Sequence, residues 1–422
     1  MPGRRVVVTG MSAVTAFGRD LVTFWDALCA GKSGIAPIKR FDTAKLKTHF
    51  GGEIADFDAS PFLDVKEQKR HDRFGQFAIV GAELAVRDSG IDFDKEDPYR
   101  CGAILGSGVG GVYQFEEAGQ TLSDAPQRLS PMLIPRGMIN AAPATIAIRF
   151  GLHGKCTAVA TACASASNAI GDAFRAIQYN TADIVITGGS EAAVTPLGIA
   201  GFNAMRALSV RNDRPESASR PFSRDRDGFV LSEGAGIVIL EEYHRARRRG
   251  ARIYAEVLGY GATADGTHIT APDPEARAAT EAMKLALRDA RLSPKRVDYV
   301  NAHGTSTPLG DRAETIALKQ VFRERALDVT VSSTKSQLGH MLGASGAVEF
   351  IITAMSAYQG VAPPTINLEE PDPECDLDYT PHNARAIPIC YAMSNSFAFG
   401  GHNVSLLLGA LDETPERARM AA

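Results

Sequence analysis

The chain has 422 residues, 45% hydrophobic and 22% charged, with 40 glycines and a formal net charge of -4. That apolar mass fills one large core or two joined ones and excludes a disordered or fibrous chain, while the acidic balance argues against nucleic acid as a partner, since phosphate contacts call for a basic surface. Cys29, Cys101, Cys156, Cys163, Cys375 and Cys390 are scattered with no C-x-x-C pair, so neither a disulfide framework nor a zinc site is indicated, and reduced thiols suit the cytosol.

In chain order, short Val/Ile-rich runs alternate with longer segments of helical spacing. The first run, Arg5–Thr9, is too brief for a secretory leader and no stretch reaches membrane-spanning length, so the chain reads as cytoplasmic, without membrane insertion. Further runs at Gly102–Leu105, Ile184–Thr187, Gly236–Leu240, Ile253–Leu258, Val297–Asn301, Val329–Ser332 and Val404–Leu408 predict buried strands in an α/β order. After the second run, Gly106–Gly111 satisfies G-x-G-x-x-G. Leu129–Pro135 stands where a dinucleotide site needs a strand ending in Asp or Glu, so that fingerprint is incomplete.

Arg245–Gly250 reads as a solvated helix end with a glycine stop, and the join between two halves falls nearby. Strand, small-residue elbow and helix occur around Cys163 and again from Val329 to Tyr358, where Ala347, Phe350, Ile351 and Ala354 share a helical face. The expected division is 1–250, 251–410 and a loose tail at 411–422.

Within the first half, Val159–Ala169 passes from an apolar run through a small-residue elbow into a helical segment, with Cys163 at the bend. A sulfur there faces the unpaired N–H groups of a first helical turn, which favour the thiolate; the alternative is a buried structural cysteine. Downstream stand His303 in Asn301–Pro308, Lys335 in Ser332–Ser336 and His340 in Gly339–Ala344, all among Gly, Ser, Thr and Ala. Small neighbours let backbone and substrate approach closely, whereas a histidine that only fills a core is more often ringed by larger apolar groups.

These motifs, Thr-Ala-Cys-Ala-Ser, Asn-Ala-His-Gly-Thr-Ser-Thr and Ser-Thr-Lys-Ser followed by Gly-His-Met-Leu-Gly-Ala, resemble those of the β-ketoacyl-ACP synthases, condensing enzymes of the thiolase superfamily, and most of all its synthase II branch. The resemblance spans about residues 3–410. It implies a thiolase-like fold, five-layered αβαβα, built from two pseudo-repeated halves. The implied reaction is a decarboxylative Claisen condensation of malonyl-ACP with an acyl chain held on Cys163, giving 3-oxoacyl-ACP and carbon dioxide in fatty-acid elongation, with no cofactor.

Under that resemblance His303 and His340 donate N–H bonds to the enolate oxygen as neutral imidazoles, and N–H groups of Cys163 and Phe399 cradle the oxyanion. Lys335 supplies fixed charge held by Glu349, which nine positions beyond His340 belongs to the same predicted helix, while Asp311 and Glu314 pack and cap the helix after Pro308. Thr270, Thr305 and Thr307 are expected to bind the phosphopantetheine arm, although Thr305 and Thr307 read equally well as turn caps. Val109, Phe202 and Ile134, the last from a second subunit of a homodimer, are expected at the acyl pocket. Lys66, Lys69, Arg70 and Arg206 are expected to dock acyl carrier protein. A structural monovalent cation near Asn301, Glu349, Ser394 and Asn395 is also implied; no catalytic metal is.

Two positions depart from the family pattern: Ala398 replaces glycine before the Phe399 gate, and alanine resists positive φ, while His402 stands where threonine is usual. A degradative thiolase would need a second catalytic cysteine near the C-terminus, and Cys390 is in the wrong context. A non-catalytic chain-length partner subunit would lack Cys163. A ketosynthase of a specialised polyketide or polyene pathway would use the same chemistry and stays open.

Overall fold

The computed structural model describes residues 3–411. The tail expected to be loose lies, from residue 412 on, outside the described residues. Ten strands form one mixed sheet: β1 (Val6–Val14), β2 (Cys101–Gly106), β3 (Cys156–Val159), β4 (Ile184–Glu191), β5 (Gly234–Glu242), β6 (Ala255–Ala264), β7 (Tyr299–Asn301), β8 (Thr330–Ser332), β9 (Tyr391–Ala398) and β10 (His402–Gly409). Their order is β8-β7-β9-β10-β6-β1-β5-β4-β2-β3.

That order splits into two copies of one pattern. Counting within each set of five from the central seam, both halves read first, fifth, fourth, second, third. The first strand is antiparallel to the fifth and the fifth to the fourth, while the remaining two pairs are parallel. The seam is the short antiparallel pairing of Val6–Val8 with Ala255–Val257. A duplication faint in the sequence is therefore explicit in strand order and direction.

Side-chain alternation makes five layers. On β4, Ile184 and Ile186 point outward with Phe74, Phe77 and Ala78 of the helix Arg73–Ser89, whereas Val185 points inward. Between the two sheet halves lie the helices Ser165–Gln178 and Ser345–Gln359, and the helices Arg277–Asp289 and Pro308–Phe322 cover the far side through Met283, Leu287, Ala317 and Leu318. Residues 345–357 are buried all round, as expected of a helix sandwiched between apolar sheets, and Ala347, Phe350, Ile351 and Ala354 have no exposed surface. The two central helices nearly touch: a Cβ on Gly346 would stand 2.1 Å from Ser167 Oγ.

Two sequence expectations change. β9 was not predicted; it reads Tyr-Ala-Met-Ser-Asn-Ser-Phe-Ala, too polar and small for a buried run, and is held by hydrogen-bonded neighbours on both sides. The Arg245–Gly250 run does form a helix end, Tyr243–Arg248 with Gly250 at φ 68°, but it is not simply solvated. Arg249 binds Glu241 at 2.8 Å and Arg245 reaches it at 3.5 Å. Glu241 is wholly buried in β5, where an unpaired carboxylate would be costly.

Candidate active site

The turn carrying Cys163 is tight and stitched by Ser165. After β3 the chain bends at Ala162, whose φ of 50° is a left-handed conformation that alanine adopts at a cost of order 1 kcal/mol. Ser165 Oγ accepts from the Thr161 N–H at 2.9 Å and donates to the Ala162 carbonyl at 2.6 Å, and the helix Ser165–Gln178 starts there. Cys163 thus sits just ahead of a helix start, as expected, with 5% of its surface exposed.

Its charge state is the correction. Burial pushes the Cys163 thiol up to about 12, against the opposing pulls of Lys335 and of the N–H groups of Phe399 and Cys163 itself. A helix start favours a thiolate, but desolvation in an apolar cluster with Ile199, Phe229 and Leu342 is the larger effect here. The same two N–H groups face the sulfur, which is where an oxyanion cradle is required. The doubt over Ala398 dissolves: it is extended at φ -110°, and the left-handed positions of the Phe399 loop fall on Gly400 (80°) and Gly401 (71°).

His303 follows β7, and its backbone is gripped from the helix Pro308–Phe322: Glu314 accepts the N–H groups of His303 at 2.9 Å and Gly304 at 2.7 Å. Burial raises the Glu314 carboxyl to about 7 despite those bonds. Asp311, also buried and raised to about 6, accepts from the Phe222 and Ser306 N–H groups and pairs with Arg226 at 3.2 Å. Both acidic groups were expected to serve only the helix; Glu314 also holds the histidine's loop.

His340 lies between the short helix Lys335–Leu338 and the helix Ser345–Gln359, so it does not share a helix with Glu349 as expected. Its N–H donates to the Val230 carbonyl at 2.7 Å and its own carbonyl accepts from Ser232 at 2.9 Å. The His303 and His340 rings stand 5.4 Å apart, edge to face at 85°. Burial, then the Lys335 charge, lowers both imidazoles well below their ordinary range, so both are neutral.

Lys335, 2% exposed, bridges Glu349 and His303 Nδ1, the latter at 3.3 Å. An ammonium has donors only, so His303 Nδ1 accepts and the ring proton sits on Nε2. Burial raises Glu349 to about 7, while its bond to Lys335 acts in the opposite direction.

Cys163, His303 and His340 line one cavity of about 380 Å³, together with Thr270, Thr305, Thr307, Arg206 and Phe399. Thr305 and Thr307 bond each other at 2.9 Å, and Thr307 caps the following helix through the Gly310 N–H, as the turn-cap reading expects. Phe202 packs into the apolar cluster of Cys163. Val109 and Ile134 are 43% and 57% exposed and stand outside this cavity lining, as do the exposed Lys66, Lys69 and Arg70.

The implied cation position fits in part. Asn301 Oδ1, Glu349 Oε2 and Ser394 Oγ are buried oxygens without a hydrogen-bond partner, the donor set a monovalent cation would take. Asn395 is already engaged, its amide donating to Glu314 at 3.3 Å and its oxygen accepting from Ser405 at 2.8 Å. Among the described residues no cluster of three or more His, Cys, Asp or Glu forms a metal site.

Sequence reasoning missed Glu191. Wholly buried at the end of β4, it accepts from Ser107 Oγ at 2.8 Å and from the N–H groups of Gly108, Val109 and Gly343 at 2.6, 3.2 and 3.0 Å. The glycine-rich turn therefore does cradle an acidic group, but the group is this side chain, whose carboxyl is pushed by burial above its usual range against the pull of those bonds. A Glu closing an apolar run was the available signal.

A model of the β-ketoacyl synthase N-terminal domain matches residues 3–246, and one of the C-terminal domain matches residues 254–369. The chain belongs to the β-ketoacyl synthase family. Cys163 falls in the first matched part, and His303 and His340 both fall in the second. This β-ketoacyl synthase is 51% identical over 404 residues to 3-oxoacyl-[acyl-carrier-protein] synthase 2 of Synechocystis sp., covering 96% of this chain and 97% of that one. It is 48% identical to the protein of that name from Coxiella burnetii, over 97% and 99% of the two chains. A β-ketoacyl synthase structure from Burkholderia phymatum superposes with a TM-score of 0.91 at 37% identity, over 97% of this chain and 100% of that one. A type II polyketide ketosynthase solved with its acyl-carrier protein also gives 0.91, at 33% identity over the same shares.

Proposed function

We propose that this β-ketoacyl synthase is a 3-oxoacyl-ACP synthase that performs decarboxylative condensation in fatty-acid elongation. The observation that carries the reading is one cavity lined by Cys163, the Phe399 loop and two neutral imidazoles. The Cys163 sulfur attacks the thioester of acyl-ACP, the oxyanion is held by the N–H groups of Cys163 and Phe399, and the carrier thiol leaves with the proton. Malonyl-ACP then loses carbon dioxide, and His303 and His340 donate N–H bonds to the enolate oxygen as charge builds there. The enolate carbon attacks the acyl-Cys163 carbonyl, the C–S bond breaks with Cys163 leaving as the thiolate, 3-oxoacyl-ACP departs, and the thiolate takes a proton from water to restore the thiol.

Thr270, Thr305 and Thr307 bind the phosphopantetheine arm; Arg206, at the cavity wall, and the exposed Lys66, Lys69 and Arg70 meet the acidic carrier. Phe202, Val109 and the partner copy's counterpart of the Ile134 segment enclose the acyl chain in a cytoplasmic homodimer. A monovalent cation held by Asn301, Glu349 and Ser394 would neutralise the buried oxygens behind Lys335 and play a structural part. Elongation is preferred to a specialised polyketide role because the relatives named 3-oxoacyl-[acyl-carrier-protein] synthase 2 share 48–51% of their residues with this chain, against 33% for the polyketide ketosynthase.

Intact-mass analysis with acyl-ACPs of several lengths tests the reading. The wild type should gain the acyl mass and Cys163→Ala should gain none while staying folded. His303→Ala and His340→Ala should load normally but lose about a hundredfold or more in malonyl-ACP decarboxylation, the scale of one oxyanion-type donor. Equal loss of both half-reactions in the histidine variants would refute the division of roles.

A further inference from the structure

The two imidazoles are held in different ways. His303 Nδ1 faces the Lys335 ammonium, whereas His340 Nδ1 lies 2.8 Å from Ser345 Oγ. Ser345 opens the helix Ser345–Gln359, is 3% exposed, and its oxygen also accepts the Met341 N–H at 2.8 Å. No other side chain or carbonyl among the described residues bonds that hydroxyl.

A serine hydroxyl has one proton to give and two lone pairs. If His340 carried its proton on Nδ1, Ser345 Oγ would accept from both Nδ1 and Met341, and its own buried proton would have no acceptor. If the proton is on Nε2, Ser345 donates to Nδ1, accepts from Met341, and every polar atom is satisfied. We infer that Ser345 is a positioning residue that fixes His340 as the Nε2–H tautomer, so that its only N–H is presented to the reacting cavity. Lys335 performs the same service for His303, so both rings offer an Nε2–H donor while staying uncharged. This inference rests on the proposed condensation, because only a developing enolate oxygen needs both donors at once.

Nitrogen-15 spectra of histidine-labelled wild type report the tautomer directly. The expected result is His340 neutral and protonated on Nε2; protonation on Nδ1 overturns the proposal, whether or not any variant folds. In Ser345→Ala, malonyl-ACP decarboxylation should fall about tenfold, the size of one lost hydrogen bond to a neutral group, with loss of the single-tautomer signal. Acyl loading of Cys163 should stay within about twofold. Ser345→Thr, which keeps the hydroxyl, should restore both the signal and the rate. Unchanged decarboxylation in Ser345→Ala, equal loss of loading and decarboxylation, or failure of a folded Ser345→Thr to restore the rate would each overturn the role. Absence of loading in the wild type would instead sink the condensation reading while leaving the tautomer measurement standing.

Discussion

Cys163, the proposed nucleophile, sits where its charged form is expensive. The Lys335 charge and two N–H groups draw the thiol down, burial pushes it up to about 12, and burial is the larger effect. At neutral pH the resting side chain is therefore the thiol, and the favourable N–H pair is used chiefly once an acyl oxyanion forms beside it. Alkylation of Cys163 by iodoacetamide should rise roughly tenfold per pH unit through pH 9 without levelling, because only the thiolate reacts. A plateau near neutrality, measured in stopped-time mass analysis, would show that Lys335 and the N–H groups prevail over burial.

At the scale of elements, one buried carboxylate ties two helices together. Asp72 caps the helix Arg73–Ser89 through the Phe74 N–H at 3.1 Å and also accepts the Gln114 N–H of the helix Val112–Asp124 at 3.1 Å. Burial raises its pKa to about 6 although both bonds pull the other way. A carboxyl raised in the folded state binds more protons there than in the unfolded chain. Its contribution is thus fully present below the unfolded value near ~4 and is lost as pH climbs through about 6, a change of about 3 kcal/mol. Asp72→Asn, which retains a good cap, should flatten the fall in urea midpoint between pH 4 and 6. An unchanged pH slope would show that Asp72 titrates normally in the fold.

For the whole molecule, the ten-strand sheet ends at β3, whose outer edge has no partner strand among the described residues. Unpaired edges invite another strand, and the exposed Phe115, Leu122, Ile134 and Met138 of the adjoining region add apolar surface. Both features support the proposed homodimer. The wild type should sediment at about twice the 44.9 kDa chain mass, and Ala158→Pro, which removes an N–H on the free side of β3, should shift it to monomer with the carbon dioxide yield falling in parallel. A wild type that runs as a monomer would refute the arrangement.

The sequence by itself determined the family and the candidate site residues, because Cys163, His303, Lys335 and His340 sit in compact local motifs, and their elbows and small neighbours are written in consecutive residues. It also determined most strands, whose burial on both faces leaves unbroken Val and Ile runs. The tertiary structure decided the rest: that β9 is a strand despite Ser394, Asn395 and Ser396, that Arg249 serves the buried Glu241, and that Glu191 fills the glycine-rich turn. It also decided that Ser345 meets His340 and that burial favours the thiol form of Cys163. Those outcomes depend on desolvation and on partners brought together by folding, and neither is encoded in the spacing of neighbouring residues.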